Sequence, residues 1–127
     1  DTLTTANIIT NDSLNAVDSS LVQVTEILEN YTIVDESTNS RISIDQSNIE
    51  NYNKVHIIAG SYRTKSNATR QRSKLVNKGF SAEVLHENKG LYRVSVASFS
   101  DVASAANDFE RIKTIDDSLD YWLLVSK

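Results

Sequence analysis

Between Val55 and Phe99 one alternation of apolar and polar positions is written twice, the second copy roughly 37 positions after the first. Val55-His56-Ile57-Ile58-Ala59-Gly60-Ser61-Tyr62 leads on to Ala68 and Leu75, and Tyr92-Arg93-Val94-Ser95-Val96-Ala97-Ser98-Phe99 leads on to Ala105 and Ile112. Each copy runs at a period of two into a small residue, a serine and an aromatic, then changes to a helical period with alanine on its inner face. That pattern predicts a strand followed by a helix. Thr64 or Ser66 is placed to cap the first helix and Gly79 to end it near Lys78. Asp101 caps the second, which carries Val102, Ala105, Ala106, Phe109 and Ile112 and breaks at Asp116-Asp117-Ser118. Phe80 to His86 and Tyr121 to Val125 supply two further strands, with Glu87-Asn88-Lys89-Gly90 as a hairpin turn. The predicted fold class is α+β, ordered β-α-β-β-α-β: a ferredoxin/RNP-like sandwich over residues 54–127, with a four-stranded antiparallel sheet and two helices on one face.

Residues 1–53 read differently, as an acidic N-terminal segment and linker. The first 13 are polar and predicted to be unstructured. Leu14, Val17, Leu21, Val24, Leu28 and Tyr31 then recur at spacings of three and four, which predicts an amphipathic helix over 13–30 with Asp12 or Ser13 as its cap. An isolated helix of this length is marginal in water, so its stripe needs a surface to cover. That surface is either the domain at 54–127 or a second copy of the stripe, in which case the chain self-associates; a frayed linker is the third reading. Residues 32–53 are expected to be a connector, with Arg41-Ile42-Ser43-Ile44-Asp45 alternating like a short exposed strand. The absence of glycine and proline from residues 1–50 predicts a connector stiffer than a flexible tether.

At 127 residues the chain has room for one domain and a tail. Without cysteine it has no disulfide framework, no thiolate nucleophile and no cysteine-ligated metal. Apolar runs such as Trp122-Leu123-Leu124-Val125 are far too short to cross a bilayer, so no membrane segment is expected here. The sequence begins at Asp1 rather than methionine, which points to a processed or excised chain, so the lack of a targeting segment is no argument for the cytoplasm. The net charge of −4 divides unevenly: residues 1–50 hold nine acids against Arg41 alone, and residues 51–127 hold twelve bases against eight acids. The acidic half is read as a solvated tail, with a partner-binding arm as the alternative.

Period-two parity assigns Ile57, Ala59, Ala82, Val84, Val94, Val96, Tyr121 and Leu123 to the face under the helices. His56, Ile58, Ser81, Glu83, Leu85, Arg93, Ser95, Trp122 and Leu124 then share the open face. A surface carrying Trp122, Ile58 and Leu85 beside Arg93 and Ser95 is half apolar and half hydrogen-bonding, which suits a flat ligand such as a sugar or a base. The alternative is that the N-terminal helix covers this face.

The stretch from His56 to Tyr62, then Asn67-Ala68, Gly79-Phe80 and Gly90 to Phe99, closely resembles the SPOR (sporulation-related repeat) domain across residues 54–125. The resemblance implies the fold just derived and binding of peptidoglycan at the bacterial division site, with a preference for glycan strands that amidases have stripped of stem peptides. It implies a place in the bacterial cell envelope or periplasm, and no cofactor. Carried over by position, it points to Ile58, Ser61, Tyr62, Asn67, Tyr92, Arg93 and Ser95 as glycan-binding residues, and parity adds Trp122. The family often has glutamine at Ile58, glycine at Ala97 and leucine at Gln71, so a side-chain amide able to bond a sugar is lost at the first. Strict alternation turns Ser61 under the sheet, and a bulge at Gly60 is needed to bring it out. The expected mechanism is recognition without chemistry: Trp122 and Ile58 meet the CH faces of the sugars while Arg93, Ser95 and Asn67 bond hydroxyl and N-acetyl groups.

Rival readings are weaker. Lys89 to Val96 lines up with the strand signature of RNA-recognition motifs, but the stacking positions hold Leu91 and Arg93 instead of aromatics, so nucleic acid is not expected. The bases Arg63, Lys65, Arg70, Arg72, Lys74 and Lys78 fall mostly on a helix behind the sheet. His56 and His86 have no metal-ligand spacing and no evident nucleophile partner, and Asp116, Asp117 and Asp120 look like a helix stop; no enzyme and no metal site are expected. A protein-interaction module that dimerises through the 14–31 stripe is compatible with glycan binding.

Overall fold

In the computed structural model, which describes residues 19–127 and their side chains from Gln23 onward, both written-out strand–helix units are present and a third helix lies before them. In chain order the elements are α1 (Ser19–Leu28), β1 (Ile33–Asp35), β2 (Ser40–Arg41), a 3-10 turn at Ile49–Asn51, β3 (Lys54–Tyr62), α2 (Lys65–Asn77), β4 (Glu83–Val84), β5 (Tyr92–Phe99), α3 (Val102–Ile115) and β6 (Trp122–Ser126). Thr64 Oγ1 accepts from the Asn67 amide and Asp101 Oδ1 from the Ser104 amide, so each helix starts at a side chain that satisfies one of its unpaired N–H groups. Ala68, Ala105 and Ala106 are fully buried, and their small side chains let both helices lie close on the sheet around Leu75, Phe109 and Ile112.

The sheet corrects the expectation. Among the described residues it has six strands in the order β2-β1-β6-β3-β5-β4, and it is mixed, because β1 runs parallel to β6 while every other neighbouring pair is antiparallel. The supposed connector supplies the two extra strands. Ile33, Ile44, Ile49 and Tyr52 are buried in the same core as Val55 and Leu123, so packing does not break at residue 54. The strand expected over Phe80–His86 shrinks to Glu83–Val84, while Phe80 and Ala82 still turn into the core. Lys89 and Gly90 both have positive φ, 54° and 82°, in the two-residue turn between Asn88 and Leu91, a conformation for which glycine is best suited.

The N-terminal stripe is used within the molecule. Val24 and Leu28 are buried, α1 packs on α3, and the Tyr31 ring stacks on Phe109 with centroids 4.0 Å apart while its hydroxyl donates to Glu110 at 2.6 Å. Those three positions serve the domain rather than a second copy. Leu14 and Val17 lie outside the described residues, as does the side chain of Leu21. The helix is therefore on the helical side of the sheet and does not cover the other face.

Asp116 closes α3 and its environment is structural. Its carboxylate accepts from the Ser118 amide and hydroxyl, from Lys78 at 2.9 Å and from Tyr121 at 3.1 Å. The Ser118 bonds above all hold its pKa well below the usual carboxylate range. A folded-state pKa below the unfolded one means that this stability is present above about pH 4 and is lost as pH falls through the lower value. Asp116→Asn is expected to cost about 1–3 kcal/mol at neutral pH, with little of it from half-exposed Lys78, and to flatten the acid limb of stability. Chemical denaturation from pH 7 to pH 2 checks this, and parallel limbs for the two chains would assign the acid loss to other carboxylates.

Candidate functional site

Two bulges decide which side chains share a face. Ile57 pairs with Ala97 and Ile58 with Ser95, leaving Val96 as the extra residue; Gly60 then pairs with Val94, leaving Ala59 extra on the opposite strand. The bulge at Ala59 shifts the parity of β3 by one, so Ser61 pairs with Arg93 on the face away from the helices. A Cβ at Gly60 would lie 2.8 Å from the Tyr62 hydroxyl oxygen, so any other residue there requires that ring to shift. The twist the sequence demanded for Ser61 is thus built one residue earlier than expected.

The predicted residues divide into two groups at the same end of the sheet. Ile58, Ser61, Arg93, Ser95 and Trp122 lie together on the face away from the helices, linked by the pairs Ile58–Trp122, Ile58–Ser95 and Ser61–Arg93. Tyr62 and Tyr92 pair with each other but pack against the helix-side core. Asn67 is exposed on the first turn of α2, where its side-chain oxygen accepts from Arg70 at 2.8 Å. Tyr92 instead lines a cleft of about 380 Å³ with Lys65, Glu83, Leu85 and Glu87 at the β4 edge.

The expected open face is not open along its whole length. Ile58 is 0%, Leu124 1%, Ser95 1% and Arg93 5% exposed. The turn between β1 and β2 reaches over them: Asn39 accepts a hydrogen bond from Arg93 Nη2, and the Glu36 carbonyl accepts one from Asn88 at 3.5 Å, on the far side of β5. Ile58, the residue expected to meet sugar CH groups, is therefore shut off from solvent. Ser61 is exposed and Trp122 half-buried, so these two present the surface. Asn39 and Glu36 were missed because a turn written Glu-Ser-Thr-Asn-Ser lacks glycine, although Asn39 at φ 59° is the residue type that tolerates such a conformation.

Arg93 lies with its guanidinium carbon 5.4 Å from the centre of the Trp122 ring, a cation–π contact that fixes both. Its Nε and Nη1 are buried without a hydrogen-bond partner among the described residues, and desolvation pushes its pKa down while Glu36 partly opposes the shift. His56 is hydrogen-bonded to Ser98 at 2.8 Å, and burial lowers its pKa against the pull of Glu36 and Glu83. His86 is exposed. Among the described residues no group of three His, Cys, Asp or Glu is placed to hold a metal, and no helix is long and apolar enough to cross a membrane. The arrangement offers a ring and a hydroxyl at the surface, with a cation buried beneath them.

Comparison with known proteins gives two findings. The family described as the SPOR domain matches residues 51–122. The chain is also similar to the solution structure of the peptidoglycan-binding domain of the B. subtilis cell wall lytic enzyme CwlC, at 27% identity over 58% of this chain and 90% of that one, with a TM-score of 0.47. No curated protein matches.

Proposed function

Because the chain belongs to the SPOR domain family, which spans more than half of its length, we propose that it binds peptidoglycan and does no chemistry on it. The family match carries this reading. The geometry supports it through Trp122 and Ser61, which bring an aromatic ring and a hydroxyl together on a shallow face over the buried Arg93 cation. The preferred ligand is a glycan strand without stem peptides, because a shallow face gives a branching peptide no room. Its place is the cell envelope, and recognition of stripped glycan brings the attached protein to the division septum.

The contact surface follows the structure and departs from the simple face parity predicts. Trp122 and Ser61 take the sugar, Ile58 and Ser95 support the face from beneath as it stands, and Asn67, Tyr62 and Tyr92 lie on the helix side, outside it. The test is a pull-down with purified sacculi, untreated and amidase-treated, at low and high salt. Retention is expected to rise after amidase treatment and to survive salt, since few exposed charges take part. No retention on either preparation would end this reading, and equal retention on both would remove the preference for stripped strands.

A further inference from the structure

Among the described residues Arg93 is a buried cation with no anion paired to it. It is 5% exposed, and among the described residues two of its nitrogens have no hydrogen-bond partner and no carboxylate comes within ion-pair distance of it. Leaving charged donors unpaired in the interior is costly, and the Trp122 ring offsets only part of that cost. Its one acceptor among the described residues, the Asn39 side-chain oxygen, comes from an exposed turn that crosses the sheet to reach it. That turn has a second tie to the far side, through Asn88, and its Glu36 acts on Arg93 only at a distance. A neutral amide oxygen therefore sits where an anionic oxygen would satisfy the guanidinium better.

We propose that the turn Glu36–Asn39 masks a carboxylate-binding site centred on Arg93, and that its ligand is the lactyl carboxylate left on a glycan strand when its stem peptide is removed. This rests on the reading of the chain as a binder of stripped glycan. Hydrolysis of the amide that joins a stem peptide to the sugar leaves an amine on the peptide and a carboxylate on the sugar. The stripped strand thus gains one negative charge wherever it loses a peptide. Exclusion of peptides explains why a branched strand binds badly; a carboxylate on Arg93 explains why a stripped one binds well. Trp122 stacks on the sugar that carries the group, and Ser61, opposite Arg93, lies within the same patch. Asn39 has to move aside, so the site is populated only in the fraction of molecules in which the turn has lifted.

The test uses the fluorescence of Trp122, the one tryptophan in the chain, titrated with amidase-stripped glycan fragments and with the same fragments after methyl esterification. The full chain is compared with Asn39→Gly, which deletes the amide while glycine accepts the positive φ of that position. Circular dichroism establishes that the variant is folded. The free acid is expected to bind about tenfold tighter than the ester, and Asn39→Gly to bind the free acid several-fold tighter again. Equal affinity for acid and ester overturns the carboxylate assignment, and equal affinity of the two chains for the acid overturns the mask; both leave glycan binding standing. Binding of neither fragment by either chain overturns the glycan reading and this proposal with it.

Discussion

Begun at Lys54, the chain is expected to melt at least about 10 °C below the full chain, read by circular dichroism at equal concentration. The segment removed contains Val24, Leu28, Ile33, Ile44, Ile49 and Tyr52, all 9% exposed or less. Their own burial, about 1.5–3 kcal/mol each, is largely offset by the entropy of ordering the segment, about 1–2 kcal/mol per residue. The damage that decides the outcome falls on what remains. Leu123 and Val125 are fully buried and lie on the strand that pairs with β1; the Leu123 amide donates to the Thr32 carbonyl at 3.0 Å and the Val125 carbonyl accepts from the Glu36 amide at 2.9 Å. Without β1 that strand becomes a bare apolar edge, a template for aggregation. Phe109 loses the ring stacked on it at 4.0 Å. An unchanged melting temperature would make residues 1–53 a passenger on a domain complete from 54 onward.

The same segment shows why part of the fold escaped the sequence. The caps at Thr64 and Asp101, the two helices and their buried faces follow local rules, and local rules were enough to find them. β1 and β2 are three and two residues long, too short for a period of two to register. Their turn has no glycine, and β1 pairs in parallel with a strand some ninety residues further on, which no local pattern encodes. On the site side, parity correctly grouped Arg93, Ser95 and Trp122, because β5 and β6 are regular where those residues sit. It misplaced Ser61, because a bulge inserts one residue and turns over everything beyond it. Burial of Ile58 and Arg93 was beyond parity altogether, since alternation assigns a side to each residue and cannot say what lies above it.

Trp122→Ala is expected to lower the affinity for amidase-treated sacculi at least about thirtyfold, or about 2 kcal/mol. The ring is half-buried, held beside Ile58 by strand pairing and by the Arg93 guanidinium 5.4 Å from its centre, so it reaches a sugar already oriented. An aromatic fixed in this way loses little conformational freedom on binding, and its exposed part offers the flat apolar surface that sugar CH groups prefer. Trp122→Phe keeps a ring and is expected to retain most of the affinity. Melting curves of both variants separate lost contact from lost fold. The comparison that settles the location is Tyr92→Ala, because Tyr92 and Tyr62 pack toward the helices and a single glycan strand cannot lie on both faces of one sheet. Loss in Trp122→Ala with Tyr92→Ala nearly unchanged puts the strand over Ser61 and Arg93. The reverse pattern would remove Trp122 from the site and move the glycan around the sheet edge, into the cleft that Tyr92 lines with Lys65 and Glu83.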